Sequence, residues 1–289
     1  MSLLSPEHIS MMIAPDRVQI IHVRGRGAPI VACTQTVLAA SGVGDVTALV
    51  EVCGAMLDNF RNIDLRVVVA DRLVRYLHLP WNAQLRNSEE LQSFAAMLFD
   101  GIYGEQSASG WKLTFSAAPP GQGRLICALP LTLHAGLVKL SGERAIRLKS
   151  IKPNMCAIME LNRRALKPHG WFLNAEPGRL SMLQWGLSGC QWVGSARYEV
   201  VSSDAAIALV DRQSLVNGEP PLASAKRIPV YLTNPLQSLS AVEHIDGVNL
   251  TVLGLRAEAL RKVRQSPAES VTESTVIPLY SGALMGAAL

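Results

Sequence analysis

Residues 171–185, Trp-Phe-Leu-Asn-Ala-Glu-Pro-Gly-Arg-Leu-Ser-Met-Leu-Gln-Trp, read as two apolar strands, Trp171 to Ala175 and Arg179 to Trp185, joined by the turn Glu176-Pro177-Gly178. Proline presets one turn dihedral and glycine supplies the other. A related signal stands near the start of the chain, where Arg17 to Val23 and Pro29 to Ala39 flank the glycine-rich turn Arg24-Gly25-Arg26-Gly27. Helix and strand patterns follow each opening, so the chain reads as a duplicated α/β unit. Its parts are lobe I, 1–166, a reduced lobe II, 167–264, and a linker with an apolar C-terminal segment, 265–289.

Between these hairpins the periodicity is specific. Val46, Leu49, Val50, Cys53, Met56, Leu57 and Phe60 recur at helical spacing, with Asp45 placed to cap the first free amides. Leu65 to Leu79 is β-rich. Ser88 is expected to cap a second helix carrying Leu91, Phe94, Ala95, Leu98 and Ile102, and strands follow at Trp111 to Phe115 and Arg124 to Leu129. Pro130 and Pro153 open helices Leu131 to Leu140 and Asn154 to Leu166, with a strand at Ile146 to Leu148 between them. Further expectations are a strand over Cys190 to Val200, a helix from Asp204 to Val216, strands Ile228 to Leu232 and Val248 to Val252, and a basic helix Leu255 to Arg264. The first 16 residues read as a short arm.

Composition excludes several classes. Charged residues are only 17% of the chain against 49% hydrophobic, below the roughly 25% charged of an average soluble protein, so part of the surface is apolar and suited to a partner. A net charge of +4 from 27 basic and 23 acidic residues, without a basic stripe, argues against nucleic acid. The cysteines Cys33, Cys53, Cys127, Cys156 and Cys190 lie far apart, fit a reducing compartment, and with the scattered histidines predict no structural metal. No run of about 18 apolar residues predicts a membrane span.

The candidate motifs have plain alternatives. Arg24-Gly25-Arg26-Gly27 lacks the helix and the Lys-Ser/Thr pair of a phosphate loop and reads as a hairpin turn. Ser141 and Ser188 have no G-x-S-x-G context and no assignable His or acid partner. Glu89 and Glu90 suit the first turn of a helix rather than an acid/base couple. Tyr76, Trp81, Trp111, Trp171, Trp185 and Trp192 fit core or edge packing better than a stacking platform. Glu176 and Arg179 flank a turn from which both side chains can reach a cleft between lobes.

Ile13-Ala14-Pro15-Asp16-Arg17-Val18, Val74-Arg75-Tyr76-Leu77-His78-Leu79-Pro80-Trp81, Tyr103-Gly104, Trp111 and the hairpin ending Glu176-Pro177-Gly178-Arg179 together resemble proteins of the PilM/GspL type, in a β-proteobacterial branch. The resemblance covers roughly residues 13 to 255. It implies an actin-like (RNase H-like) α/β fold, two duplicated lobes around a cleft. It also implies a cytoplasmic protein of a type IV pilus or type II secretion assembly platform, held beside the inner membrane by partners. Nucleotide-binding members carry an Asp-x-Gly phosphate motif on the first hairpin, whereas the matching strand Gln19 to Gly25 has no acidic residue. Glu176, Gly178 and Arg179 would be the remnant of the second phosphate hairpin. The expected function is therefore a scaffold with no catalytic residues and no cofactor. Its expected partners are inner-membrane pilus or secretion assembly proteins, with the assembly ATPase as a further candidate and dimerisation open. The alternative is an actin-like ATPase or small-molecule kinase with a Mg-nucleotide in the cleft. GspL-type proteins continue into a membrane-spanning helix, which makes the soluble PilM type the closer match.

Overall fold

The computed structural model describes residues 7–23, 30–39, 44–85, 87–198, 203–218, 228–233, 243–245 and 248–253. In the first lobe β1 (His8–Ala14) and β2 (Arg17–Val23) form an antiparallel hairpin, extended by β3 (Ile30–Val37). After α1 (Val46–Leu57) the chain returns as β4 (Asp64–Val69), parallel to β1. An insertion follows, in which β5 (Arg75–Leu79), α2 (Ser88–Tyr103), β6 (Trp111–Phe115) and β7 (Arg124–Pro130) build an antiparallel sheet packed on its own helix. The helix α3 (Leu131–Glu143), β8 (Arg147–Pro153), which pairs parallel to β4, and α4 (Asn154–Asn162) complete the lobe.

The second lobe repeats the plan. A hairpin of β9 (Gly170–Glu176) and β10 (Arg179–Gly186) is extended by β11 (Gly189–Ala196), followed by α5 (Ser203–Val216) and β12 (Pro229–Thr233), with β13 (Glu243–Ile245) and β14 (Val248–Val252) beyond. The sheet orders are β3-β2-β1-β4-β8 and β11-β10-β9-β12-β14-β13. Apart from β13 they correspond strand for strand, with α1 and α5 in the same place between the third and fourth strands. Even the hairpin tips match: Ala14-Pro15-Asp16-Arg17 stands where the second lobe has Glu176-Pro177-Gly178-Arg179.

That correspondence corrects two expectations. His8–Ala14 is no arm but the central strand of its sheet, buried at every residue. A strand covered on both faces loses the alternation that advertises strands, and His8 and Ser10 interrupt its apolar run. Consequently β1–β2, not β2–β3, is the counterpart of the β9–β10 hairpin, and the turn Arg24-Gly25-Arg26-Gly27 lies outside the described residues. The β-rich stretch Leu65 to Leu79 is two strands in different sheets, separated by the 3-10 turn Asp71–Leu73. Asn87 rather than Ser88 caps α2, accepting from the backbone N–H of Glu89 at 3.0 Å and of Glu90 at 2.9 Å. The helix expected to reach Leu166 ends at Asn162, and the strand expected to reach Val200 ends at Ala196. The helix Leu255 to Arg264 and segment 265–289 lie outside the described residues.

Strand alternation decides what meets what in lobe II. On β9 and β12, Trp171, Leu173, Val230 and Leu232 face a core with Ala206, Ile207 and Val210 of α5. The alternate residues Phe172, Leu183 and Tyr231 pack instead into the large core of lobe I, with Leu65, Val69, Leu133 and Met155. The two lobes thus share an apolar seam. Each large side chain fully buried there contributes roughly 1.5–3 kcal/mol.

Candidate functional site

The seam turns polar at the strand ends. Asn174 and Glu176 continue the Phe172 face of β9 and are buried, as are Asp71, Asn154 and Thr233. The physical cause is a set of unpaired helix amides. The turn Asp71–Leu73 begins after Ala70, which has no side chain able to cap it. Glu176, from the other lobe, takes that role: its carboxylate accepts from Asp71 N–H at 2.9 Å, from Arg72 N–H at 3.3 Å and from Asn154 Nδ2 at 2.7 Å. Helix α4 has the same defect, because Pro153 precedes it without a capping oxygen. Asp71 Oδ1 accepts from Met155 N–H at 3.0 Å and from the Tyr76 hydroxyl at 2.6 Å, while Asp71 Oδ2 accepts from Asn174 Nδ2 at 2.8 Å. Thr233 donates to Asn174 Oδ1 at 2.6 Å. Two carboxylates therefore act as caps in series, one of them across the lobe boundary.

Burial dominates the electrostatics. Removal from water pushes the Asp71 carboxyl up, against the hydrogen bonds from Tyr76, Asn174 and Met155. The same desolvation, with the charge of Asp71, pushes Glu176 up to about 8. Tyr76 is driven well above its ordinary value by burial and by Asp71. Burial lowers the Arg179 guanidinium, with Arg75 adding to the effect and Asp71 opposing it. The Arg179 contact is a long one, 3.5 Å from Nη2 to the carbonyl of Val74.

Sequence-predicted residues are thus divided by the structure. Glu176 and Arg179 are cross-strand neighbours, and Gly178 between them has φ +73°, the left-handed conformation that the turn demands of glycine. Both oxygens of Glu176 serve protein N–H groups, in a site 3% exposed. Its counterpart on the first hairpin is Ala14, while Asp16 beside it is tied to Arg17. Burial would raise the Asp16 carboxyl, but the hydrogen bond and charge of Arg17, with Arg72, hold it below the usual range. Ser141 Oγ donates to Leu137 O within its helix, and Ser188 Oγ accepts from Gln191. Sequence reasoning missed Asp71, Asn154, Asn174 and Thr233. The available signal was the pair of polar residues Asn174 and Glu176, two positions apart at the end of an otherwise apolar β9, and an acid inside the run Leu65 to Leu79.

A second contact ties the insertion to lobe II. Gly123 N–H donates to Ser188 O at 2.7 Å, Cys190 N–H donates to Gly123 O at 3.0 Å, and Gln122 Nε2 reaches Leu187 O at 2.8 Å. Only glycine fits: a Cβ on Gly123 would lie 2.3 Å from Cys190 O, and one on Gly189 would lie 2.4 Å from Gly123 O. Nearby, Cys127 and Cys156, expected as isolated small residues, bring their Sγ atoms to 3.7 Å, and this contact together with burial raises the Cys127 thiol well above its ordinary value.

No protein-family model matches the sequence, and no curated protein matches it. Solved structures do. A Bacteroides thetaiotaomicron protein with an actin-like ATPase fold and unknown function aligns over 81% of this chain and 84% of its own, at TM-score 0.55 and 11% identity. The fold is actin-like. Two further actin-like comparisons are the cytoplasmic domain of EpsL, an inner-membrane component of the type II secretion system of Vibrio cholerae (TM-score 0.52, 11% identity, 86% of this chain and 90% of that one), and the PilM-PilN type IV pilus biogenesis complex (TM-score 0.53, 15% identity, 97% of each chain). No helix of the described residues is long and apolar enough to cross a membrane.

Proposed function

We propose that the chain is a non-catalytic, PilM-type scaffold of a type IV pilus or type II secretion assembly platform, working by protein–protein binding at the cytoplasmic face of the inner membrane. The observation that carries this reading is the use made of Glu176. An acid that would serve a metal-bound phosphate is committed to capping Asp71 and Arg72, while the other hairpin offers Ala14 in its place. The similarity to the PilM-PilN complex and to the EpsL domain supports the choice of system.

A groove suits the partner. Between the insertion and the body of lobe I lies a cavity of about 240 Å³ whose walls include Val74, Leu129 and Ile151, with Lys112, His134 and Lys149 among its polar lining. Burial and Lys112 hold His134 below its ordinary value, and Lys149 is paired with Asp64 at 3.7 Å, which leaves Lys112 as the lining cation that faces a ligand. An extended acidic segment of an inner-membrane assembly protein matches apolar walls under a cationic side chain.

The test has two arms. Titration with Mg-ATP in a calorimeter is expected to give no saturable heat, and micromolar binding abolished by Glu176→Ala would instead establish the ATPase or kinase alternative. Co-purification with inner-membrane pilus or secretion assembly proteins, weakened by Lys112→Glu, is the positive arm; repeated failure to recover any of them refutes the scaffold.

A further inference from the structure

The seam places two carboxyl groups in one dry volume, one from each lobe, and each completes a cap rather than an ion pair. Among the described residues, neither Asp71 nor Glu176 has a cationic side chain at ion-pair distance. The groups around them are Tyr76 of β5, Cys127 of β7, Cys156 of α4, Arg179 of β10 and, beside Asp71 itself, Arg72. Arg179 opposes their charge from another element, and its own bond goes to a backbone carbonyl. Two anions held by neutral donors in such a place are costly, and the usual resolution is that the pair keeps a proton.

Asn154 is placed to answer either charge state. Its Nδ2 sits 2.7 Å from Glu176 Oε1, while its Oδ1 is buried with no hydrogen-bond partner. Turning this amide end for end presents Oδ1 to Glu176 as an acceptor, at the same separation. The side chain can therefore serve either the ionised acid, as donor, or the protonated acid, as acceptor.

We propose that Asp71 and Glu176 form a proton-operated latch between the lobes: the closed seam holds one proton on this pair of acids, Asn154 reads it at Glu176, and losing it loosens the contact of lobe II with the Asp71 turn. This goes beyond the scaffold reading and does not depend on which partner binds. The direction follows from the raised acids. The folded protein holds the proton more tightly than the unfolded chain, so the latch is at full strength below the ordinary carboxyl value of 4.5 and is lost as pH rises through about 8.

Urea unfolding of the full chain between pH 5.5 and 9 tests it. One retained proton makes the folding equilibrium constant fall about tenfold per pH unit until the pair has ionised. Glu176→Gln is expected to flatten that slope, and Tyr76→Phe, which removes a donor to the Asp71 carboxylate, to move the inflection to higher pH. Should Glu176→Gln fail to fold, amide hydrogen exchange at Asp71 and Arg72 in the unmodified chain gives an independent reading: their protection factors should drop at least tenfold between pH 6 and 9, while amides in the α5 core change less. Stability flat over this range, an unchanged slope in Glu176→Gln, or protection lost equally throughout lobe II overturns the latch.

Discussion

Replacing Gly189 by alanine isolates what the bridge between the insertion and lobe II contributes. Gly189 has φ +82°, and an added Cβ would stand 2.4 Å from Gly123 O and 2.9 Å from the Cβ of Gln122. The left-handed backbone alone costs an alanine about 1–2 kcal/mol. Relief of the clash requires the two chains to part, which breaks the bonds Gly123 N–H to Ser188 O and Cys190 N–H to Gly123 O, at about 0.5–1.5 kcal/mol each. The expected total is about 2–5 kcal/mol, read as a lowered urea midpoint with an unchanged m-value. Gly121→Ala is the internal control. Gly121 has nearly the same dihedral, φ +86°, but open space around its would-be Cβ, so it carries the backbone cost without the clash. If Gly189→Ala is no more destabilising than Gly121→Ala, the bridge does not hold the insertion to lobe II.

Two smaller perturbations probe other levels of the same architecture. Asp45→Ala removes the cap whose Oδ1 accepts from Thr47 N–H at 2.8 Å and Ala48 N–H at 3.4 Å, and should cost about 1 kcal/mol in thermal or urea unfolding with no change in pH profile. Phe172→Ala opens a cavity in the apolar part of the seam, where the ring is fully buried, and should cost about 3–5 kcal/mol. A loss below about 1 kcal/mol in the same unfolding assay would mean that the lobes do not share one core.

The local elements were legible in the sequence because their causes lie within a few residues. Asp45 capping α1, the Pro177-Gly178 turn and the two-sided pattern of β6 each follow from a side chain and its near neighbours, whose chemistry fixes the dihedrals or the buried face. The actin-like plan was visible through a resemblance spread over several short motifs, and the sheet orders agree with it. The seam was not visible. Asp71 and Glu176 are 105 residues apart, and each is an acid because of an uncapped amide far along the chain: Glu176 serves the Asp71 N–H, and Asp71 serves the Met155 N–H. Periodicity carries no information about such a pairing; it arises only when both sheets set their strand ends side by side. The central place of β1 was hidden for a related reason, since burial on both faces erases the alternation that a sequence can display. Thus the chain by itself determined which segments extend, coil and turn, while tertiary structure alone decided that Glu176, legible only as a remnant phosphate-site residue, is a cap joining two lobes.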